Sequence, residues 1–361
     1  MTDQDTFLTF RPDFRLTILI PVYDDWGAIA LLLRDLDQVC ASISLRPRVL
    51  IINDGSTEVV PPSLVSWQTE SIRAVDVLEL YGNLGHQRAL CCGLVQIYQE
   101  NASDAVLVMD ADGEDAPSDV PALLDRYINE SQGKLVFASR ARRTEGLVFK
   151  AFYQAYRMMH RLFVGFDIRV GNFSIIPFRA VSSLVRSRHL WNHYAAAAVK
   201  SKFPHTSIPI AKAKRINGHS KMNFVSLLIH GLSALAVNTD NIAARSVVMA
   251  CIALGFGILA LATVVFIRLG TNLAIAGWAT SAAGLILLTL LQVVIIAMLF
   301  SMGVLNARAA AEVIPLRDCP YFIERVRHLE LPSVNPLPDS SAAFPSVSED
   351  CSNLLAGISR S

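Results

Sequence analysis

Two long stretches without a charged residue constrain this chain more than any other feature. Residues 246–267 and 269–307 contain 22 and 39 uncharged residues, and only Arg268 separates them. Each stretch exceeds the roughly 20 apolar residues with which a helix spans a bilayer. The pattern predicts a transmembrane helical hairpin over 245–308, with spans near 246–267 and 277–303. The alternative is a pair of helices buried in a globular core.

Charged residues are distributed unevenly around this hairpin. Residues 131–245 carry 18 Lys and Arg but only 3 Asp and Glu, whereas residues 1–130 carry 8 and 21. Because Lys and Arg favour the cytoplasmic side, the sequence predicts an integral protein of the inner or plasma membrane with both termini cytosolic. The acidic part is suited to a cation and the basic part to anions, although a basic surface could equally rest on anionic lipid.

Strand and helix patterns alternate through residues 1–222. Strands are predicted at 16–20, 49–52, 75–80, 105–109 and 135–138, and helices at 28–40 and 86–99. This alternation predicts an α/β domain with a mostly parallel sheet, whose ligands bind at the carboxyl ends of the strands. No Gly-x-Gly-x-x-Gly follows the first strand and no Walker A motif is present, which argues against a dinucleotide or P-loop site.

The fourth predicted strand ends in Asp110-Ala111-Asp112, with Glu114 and Asp115 close behind. Two carboxylates placed two residues apart after a buried strand point the same way. Hard oxygen ligands of this kind suit Mg²⁺ or Mn²⁺ carrying a diphosphate. Asp is also common in turns after strands, so the pair alone does not decide between a turn and a metal site.

Two other predicted strands also end in polar motifs, Pro21-Val22-Tyr23-Asp24-Asp25 and Asn53-Asp54-Gly55-Ser56. Together with Asp110-Ala111-Asp112, they resemble the GT-A catalytic domain of family 2 glycosyltransferases, whose usual forms are PVYNE, DDGS and DAD. The segment Asn83–Leu90 (NLGHQRAL) matches the N-x-G-x-x-x-A-L helix start of that family. The resemblance covers residues 14–308.

A later loop narrows the resemblance. Gly218-His219-Ser220-Lys221-Met222 is similar to a G-x-S-K-Y loop and precedes an apolar segment at 223–244. That segment is predicted to be an interfacial amphipathic helix, with a core helix as the alternative. Loop, helix and hairpin resemble the polyprenyl-phosphate glycosyltransferases of the dolichol-phosphate mannose synthase and GtrB type. The predicted units are a cytosolic catalytic domain at 1–222, the interfacial region at 223–244, the hairpin at 245–308 and a largely disordered cytosolic tail at 309–361.

The resemblance implies an inverting, metal-dependent transfer of a sugar from an NDP-sugar to a polyprenyl phosphate, either undecaprenyl or dolichyl. Mg²⁺ or Mn²⁺ is expected on Asp110, Asp112 and Glu114. Asp112, Arg140 and Lys221 are the expected catalytic residues. The expected substrate-binding residues are Pro21, Tyr23, Asp25, Asp54, Asp110, Arg142, Arg215 and Ser220. Arg215 and Lys221 are expected to close over the diphosphate when the donor binds.

A shortage of Asp and Glu residues in the middle part of the chain bears on which substrate accepts the sugar. Only Glu145, Asp167 and Asp240 lie between residues 131 and 311. A sugar hydroxyl needs a general base, whereas a phosphate is already largely ionised at pH 7 and needs cations such as Arg140. No QxxRW motif is present. The alternatives are a membrane transferase acting on a sugar hydroxyl or another lipid, and a nucleotide-binding membrane partner without turnover.

The sequence departs from the family pattern at a few positions. Asn53 replaces the first Asp of DDGS, Asn172 stands where many relatives have Asp, Glu114 where the subgroup often has Gln, and Met222 where the loop has Tyr. The histidines near the motifs, His86 among them, receive no catalytic role. The expected partners are the NDP-sugar, the polyprenyl phosphate and the lipid bilayer, with a homo-oligomer left open and no nucleic acid.

Overall fold

The computed structural model describes residues 10–11, 13–65, 67–130, 133–140, 170–211, 213, 215, 236–271, 275, 277–309 and 313–329. The strands are β1 (Leu16–Val22), β2 (Arg48–Asn53), β3 (Ala74–Leu80), β4 (Ala105–Val108), β5 (Leu135–Arg140), β6 (Val170–Pro177), β7 (His205–Ile210) and β8 (Ile323–Leu329). The α-helices are α1 (Trp26–Ser42), α2 (Pro62–Val65), α3 (His86–Glu100), α4 (Val120–Asp125), α5 (Phe178–Leu184), α6 (Tyr194–Lys200), α7 (Thr239–Gly270), α8 (Trp278–Ala309) and α9 (Pro315–Asp318).

The eight strands form one sheet in the order β7-β5-β6-β4-β1-β2-β3-β8. Strands β1 to β4 run parallel to one another, and β7 runs parallel to β5. Strand β6 is antiparallel to β4 and β5, and β8 is antiparallel to β3. The predicted α/β class with a mostly parallel sheet is confirmed.

Helices cover both faces of this sheet. On one face, Ile18 and Ile20 of β1 belong to the same buried cluster as Leu32 of α1. On the other face, Leu19 joins Leu90 of α3 in a second cluster. Successive residues of a strand point to opposite faces, so a central strand buried on both sides is apolar throughout. Each fully buried side chain of this size contributes about 1.5–3 kcal/mol.

Strand β1 continues past Pro21, where the sequence predicted its end. The backbone of Leu19 faces β4, since its carbonyl accepts the N–H of Met109, and the carbonyl of Val22 faces β2, since it accepts the N–H of Asp54. Alternation along the strand therefore turns the nitrogen of Pro21 toward β4, which ends at Val108. The missing N–H of proline consequently leaves no ladder bond unmade at this position.

Helices α7 and α8 are each long and apolar enough to cross a membrane. They pack closely, because a Cβ on Gly257 would lie 2.2 Å from Cδ2 of Leu290. Almost none of their other apolar side chains is buried. Core helices would be buried, so this exposure favours a bilayer-spanning hairpin, and the chain is a membrane protein.

The predicted interfacial region falls largely outside the described residues. Residues 223–235 are not among them, and α7 already begins at Thr239. The last residues of the predicted region, 239–244, therefore belong to the first long helix, because their helical pattern runs into the apolar span without a break.

Residues 313–329 are folded, although they belong to the tail that the sequence predicts to be largely disordered. After the hairpin the chain forms α9 and then β8, which pairs antiparallel with β3. The ring of Phe322 lies 5.2 Å from that of Trp191, and Arg327 lies 3.1 Å from the carboxylate of Glu79. Residues 330–361 lie outside the described part of the chain.

A charged cluster lies where α7 begins. Arg188 is 3.7 Å from Asp240, and the ammonium of Lys200 donates to the carbonyl oxygen of Val237. Burial, together with the charges of Lys200 and Arg188, lowers the pKa of the neighbouring His189 to about 4. The imidazole is therefore neutral in the folded protein near pH 5, whereas the unfolded chain would protonate it.

This depressed pKa predicts acid sensitivity. The contribution of His189 to the free energy of unfolding is present above pH 6.5 and is lost as the pH falls toward about 4. Between these pH values, we expect the free energy of unfolding of His189→Asn to fall by about 1 kcal/mol less than that of the wild type. The effect is no larger because the ring is only half-buried and solvent screens its charge. Thermal unfolding of the detergent-solubilised protein across this range provides the test. Parallel pH profiles for the two proteins would contradict the assignment.

Candidate functional site

Three predicted motifs meet at one edge of the sheet. Strands β1, β2 and β4 are parallel neighbours, so the residues that follow them emerge on the same side. The backbone N–H of Asp24 donates to Ser56 Oγ at 3.0 Å, joining the first motif to the second. The backbone N–H of Asp54 donates to the carbonyl of Val22 at 2.9 Å. The third motif follows β4 beside them.

The residues after β4 form a compact acidic turn, which comprises residues 110–115. The backbone N–H of Asp110 donates to Asp115 Oδ2 at 2.9 Å, and that of Glu114 donates to Asp112 Oδ1 at 2.9 Å. Gly113 has a φ of 78°, a conformation that favours glycine. These bonds bring the carboxylates of the turn together at the end of the strand, as the sequence predicted.

Arg215 lies on the acidic turn. Its guanidinium donates to Asp112 Oδ2 at 2.6 Å, and its Nε lies 3.5 Å from Glu114 Oε1. The sequence predicted that Arg215 binds substrate, and the structure places it on two of the three predicted metal ligands. The chain thus supplies a cation at the position where the metal ion was expected.

The electrostatics of Asp112 explain why a cation is needed there. Burial raises the pKa of Asp112, and the carboxylates of Asp110 and Glu114 raise it further. The N–H of Glu114 and the guanidinium of Arg215 act in the opposite direction. The ionised form of Asp112 is therefore less favourable than that of an ordinary aspartate, and additional positive charge close by would favour it.

His86 also belongs to the site, although the sequence gave it no role. Its Nε2 lies 3.3 Å from Asp110 Oδ1 and 2.8 Å from Asn172 Nδ2. Desolvation lowers the pKa of His86, but the carboxylates of Asp110, Asp54 and Asp115 together raise it above its ordinary value. The sequence signal was its place as the first residue of α3, directly after the Asn83–Gly85 motif.

Asp54 holds the turn that leads into α3. Its two carboxylate oxygens accept the backbone N–H groups of Leu84 at 2.7 Å and Gly85 at 3.0 Å. Burial raises the pKa of Asp54, and these two hydrogen bonds partly offset that increase. The turns approach closely at Gly55, where φ is +67° and a Cβ would lie 2.6 Å from the backbone nitrogen of Asn83. Asp54 therefore has a structural task besides the nucleoside contact that the sequence predicted.

Asn53 has a partner that accounts for its departure from the family pattern. Its Nδ2 donates to Glu79 Oε2 at 2.6 Å, and its Oδ1 accepts the N–H of Ser56 at 3.0 Å. Glu79 is in turn 3.1 Å from Arg327 of β8. An amide can donate to the buried carboxylate of Glu79, whereas an ionised aspartate at this position would repel it.

We therefore expect Asn53→Asp to lower the free energy of unfolding by about 1–3 kcal/mol, because a buried hydrogen bond becomes a like-charge contact. Adding Glu79→Gln should restore most of the loss, since the amide can donate to the new carboxylate. A double-mutant cycle measured by thermal unfolding gives the coupling energy. Additive effects of the two substitutions would show that the two side chains do not interact.

Some of the remaining predicted residues are described by the structure, and others are not. Pro21 is buried in β1, and Tyr23 is 44% exposed. Asp25 lies at the N-cap position of α1, and its side chain makes no capping hydrogen bond. Arg140 ends β5 opposite Ile210. Arg142, Ser220 and Lys221 lie outside the described residues, as do Met222 and the other basic residues of 141–169.

The donor set suits a divalent cation in chemistry but is not arranged as a complete metal site. Within the described ranges, no group of three His, Cys, Asp or Glu side chains is placed to hold a metal ion. Asp110, Asp112 and Glu114 supply hard oxygen donors of the kind that Mg²⁺ and Mn²⁺ prefer. Since the guanidinium of Arg215 already rests on two of them, these carboxylates demonstrably accommodate a cation.

One family model and several known proteins are similar to this chain. Residues 17–185 match the model of the family described as "Glycosyl transferase family 2". An undecaprenyl-phosphate 4-deoxy-4-formamido-L-arabinose transferase of Klebsiella pneumoniae is 27% identical over 61% of this chain and 66% of its own length. The Salmonella choleraesuis protein of the same name is 24% identical over 88% of this chain and 95% of its own length.

Among solved structures, the glucosyl-3-phosphoglycerate synthase of Mycobacterium tuberculosis superposes on part of this chain. It superposes with a TM-score of 0.45 at 14% identity, covering 63% of this chain and 80% of that one.

Proposed function

Since residues 17–185 match the model of family 2 glycosyltransferases, we propose that the chain transfers a sugar from an NDP-sugar to a polyprenyl phosphate at the membrane surface. The observation that carries the proposal is the acidic turn at residues 110–115, at the ligand-binding edge of a sheet that includes β8 from beyond the hairpin. Because β8 follows the hairpin and pairs within the sheet, the proposed donor site would lie close to the bilayer. The named activity of the two arabinose transferases supports the choice of acceptor.

Asp110, Asp112 and Glu114 would hold Mg²⁺ or Mn²⁺. When bound, the metal ion would offset negative charge on the diphosphate leaving group. Asp54 fixes the turn before α3, and with Pro21, Tyr23 and Asp25 it forms the side of the site that we assign to the nucleoside. His86 lies 3.3 Å from Asp110, and the carboxylate of Asp110 favours the protonated imidazole. Arg215, Ser220 and Lys221 are assigned to the donor phosphates.

The acceptor assignment follows from the shortage of general bases. Of the three acids between residues 131 and 311, Asp240 pairs with Arg188, and Glu145 and Asp167 lie outside the described residues. A phosphate nucleophile needs no base of this kind, because it is already ionised, and Arg140 and Arg142 would neutralise it. Attack on the face opposite the leaving diphosphate would invert the anomeric carbon.

The sheet also bears on membrane topology. Strand β8 follows the hairpin and pairs with β3, which precedes it, so both sides of the hairpin belong to one folded unit. The chain must therefore cross the bilayer an even number of times between them. Because Lys and Arg flank the hairpin while its connection holds only Arg268, we assign this unit to the cytosolic side. An active periplasmic reporter fused at the C-terminus would contradict the assignment.

A donor and acceptor panel tests the proposal. Membranes containing the protein are incubated with radiolabelled UDP- and GDP-sugars, Mn²⁺ and either undecaprenyl phosphate or undecaprenol, which lacks the phosphate. We expect lipid-linked label with one donor, and only with the phosphate. Label on undecaprenol or on a soluble sugar would favour a hydroxyl acceptor. Nucleotide binding without any product would favour a non-catalytic membrane partner.

A further inference from the structure

We propose that Arg215 is a resident counter-cation of the acidic turn, which a divalent metal ion must displace before the turn can hold a donor diphosphate. The inference rests on the proposed function, since it concerns the same carboxylates. Arg215 would thus lower the affinity of the protein for metal alone and restrict metal loading in the absence of donor.

The contact has the features of a strong ion pair. The guanidinium reaches Asp112 Oδ2 at 2.6 Å through one terminal nitrogen and approaches Glu114 Oε1 to 3.5 Å through Nε. The side chains of Arg215 and Asp112 are only 25% and 15% exposed. Partly buried, charge-assisted contacts of this length are stronger than ion pairs on an open surface. The arginine is therefore a real competitor for these oxygens.

The backbone holds Arg215 in this position. The N–H of Ala213, two residues before it, donates to the carbonyl of Glu114 at 3.2 Å. The segment that carries Arg215 is thus attached to the acidic turn by both a main-chain bond and a side-chain ion pair. An arginine that contacted the carboxylates only transiently from the surface would not have this additional main-chain hydrogen bond.

Competition follows from the shared oxygens. A divalent ion on Asp112 and Glu114 would need the carboxylate positions that the guanidinium contacts, and two cations at that separation repel each other. By linkage, a side chain that stabilises the metal-free turn lowers the metal affinity by the same free energy. Removing the side chain should therefore strengthen metal binding, which is the opposite of what a metal-supporting residue would show.

Manganese binding to the full-length protein in detergent, without nucleotide, tests this inference. Free Mn²⁺ is measured by electron paramagnetic resonance during a titration. We expect Arg215→Ala and Arg215→Gln to lower the Kd for Mn²⁺ by about tenfold, the equivalent of one charge-assisted contact. Arg215→Lys should lie between these variants and the wild type, because lysine keeps the charge but not the planar fork.

Arg15→Ala is the matched control. Arg15 also pairs with an aspartate, Asp104 at 3.5 Å, but that pair lies at the amino end of β4, opposite the acidic turn. The Arg15→Ala variant loses the same charge as Arg215→Ala and should leave the Kd for Mn²⁺ unchanged.

The outcomes separate this inference from the proposed function. Equal or weaker Mn²⁺ binding by Arg215→Ala would overturn the role of Arg215 while leaving the metal assignment intact. Absence of Mn²⁺ binding from both the wild type and Arg215→Ala would overturn the metal assignment and this inference together. Binding that persists in Asp112→Asn would place the ion elsewhere. Thermal unfolding of each variant confirms that a changed Kd comes from a folded protein.

Discussion

Asp112→Asn is expected to lower the rate of sugar transfer by about a hundred- to a thousandfold, the usual effect of removing one group that stabilises charge developing on a leaving group. Asp112 receives the N–H of Glu114 on one oxygen and the guanidinium of Arg215 on the other. Asparagine keeps the size and one acceptor but loses the negative charge that a metal ion or arginine requires. Initial rates of label transfer to undecaprenyl phosphate measure the effect.

Asp104→Asn is the control for this substitution. Asp104 precedes β4, whereas Asp112 follows it, so the two carboxylates lie at opposite ends of one strand. Asp104 accepts the backbone N–H of Arg15 at 2.8 Å, a bond that asparagine can retain. Its transfer rate should match the wild type. Near wild-type activity of Asp112→Asn would refute the assigned role of the acidic turn.

Asp37→Ala is expected to cause the largest loss of stability, about 3–5 kcal/mol, with a fall in Tm of about 10 °C. The carboxylate of Asp37 is buried in α1 and accepts three backbone N–H groups, from Glu70 at 2.7 Å, Ser71 at 2.8 Å and Ile72 at 2.7 Å. Alanine would leave these donors without their acceptor in the segment that leads into β3. Thermal unfolding in detergent measures the change.

Two variants of the same helix isolate this effect. Asp37→Asn keeps one acceptor oxygen and should lose clearly less stability than Asp37→Ala. Asp35→Ala, at an exposed position of α1, should change Tm little. If Asp35→Ala and Asp37→Ala lowered Tm equally, helix propensity or net charge would explain the loss and the three hydrogen bonds would not.

The half of the site built on parallel strands was predictable from sequence for a physical reason. Strands such as β1, β2 and β4 are buried on both faces, so each forms an apolar run that stops at a polar turn. The carboxyl ends of parallel neighbours must share an edge, which places Asp54 and Asp112 at one site without any knowledge of distances. The motif resemblance then added the chemistry of that edge.

The remaining features depend on partners distant in sequence. Strand β8 contains Glu324, Arg325 and Arg327, and such a charged edge strand resembles a loop because it gives little apolar alternation. The role of Asp37 appears only when the turn before β3 folds onto α1. His86 received no role because the carboxylates that raise its pKa come from two other strand ends, which a linear pattern does not show.

The position of β8 has a consequence for biosynthesis. Strand β3 acquires its outer neighbour only after residues 323–329 have left the ribosome, and by then α7 and α8 have already been translated. Until that moment the nascent domain has an open strand edge, which is a template for aggregation. The last strand to be added therefore reaches the sheet after the two long apolar helices, so the sheet cannot be completed until the apolar hairpin has been synthesised.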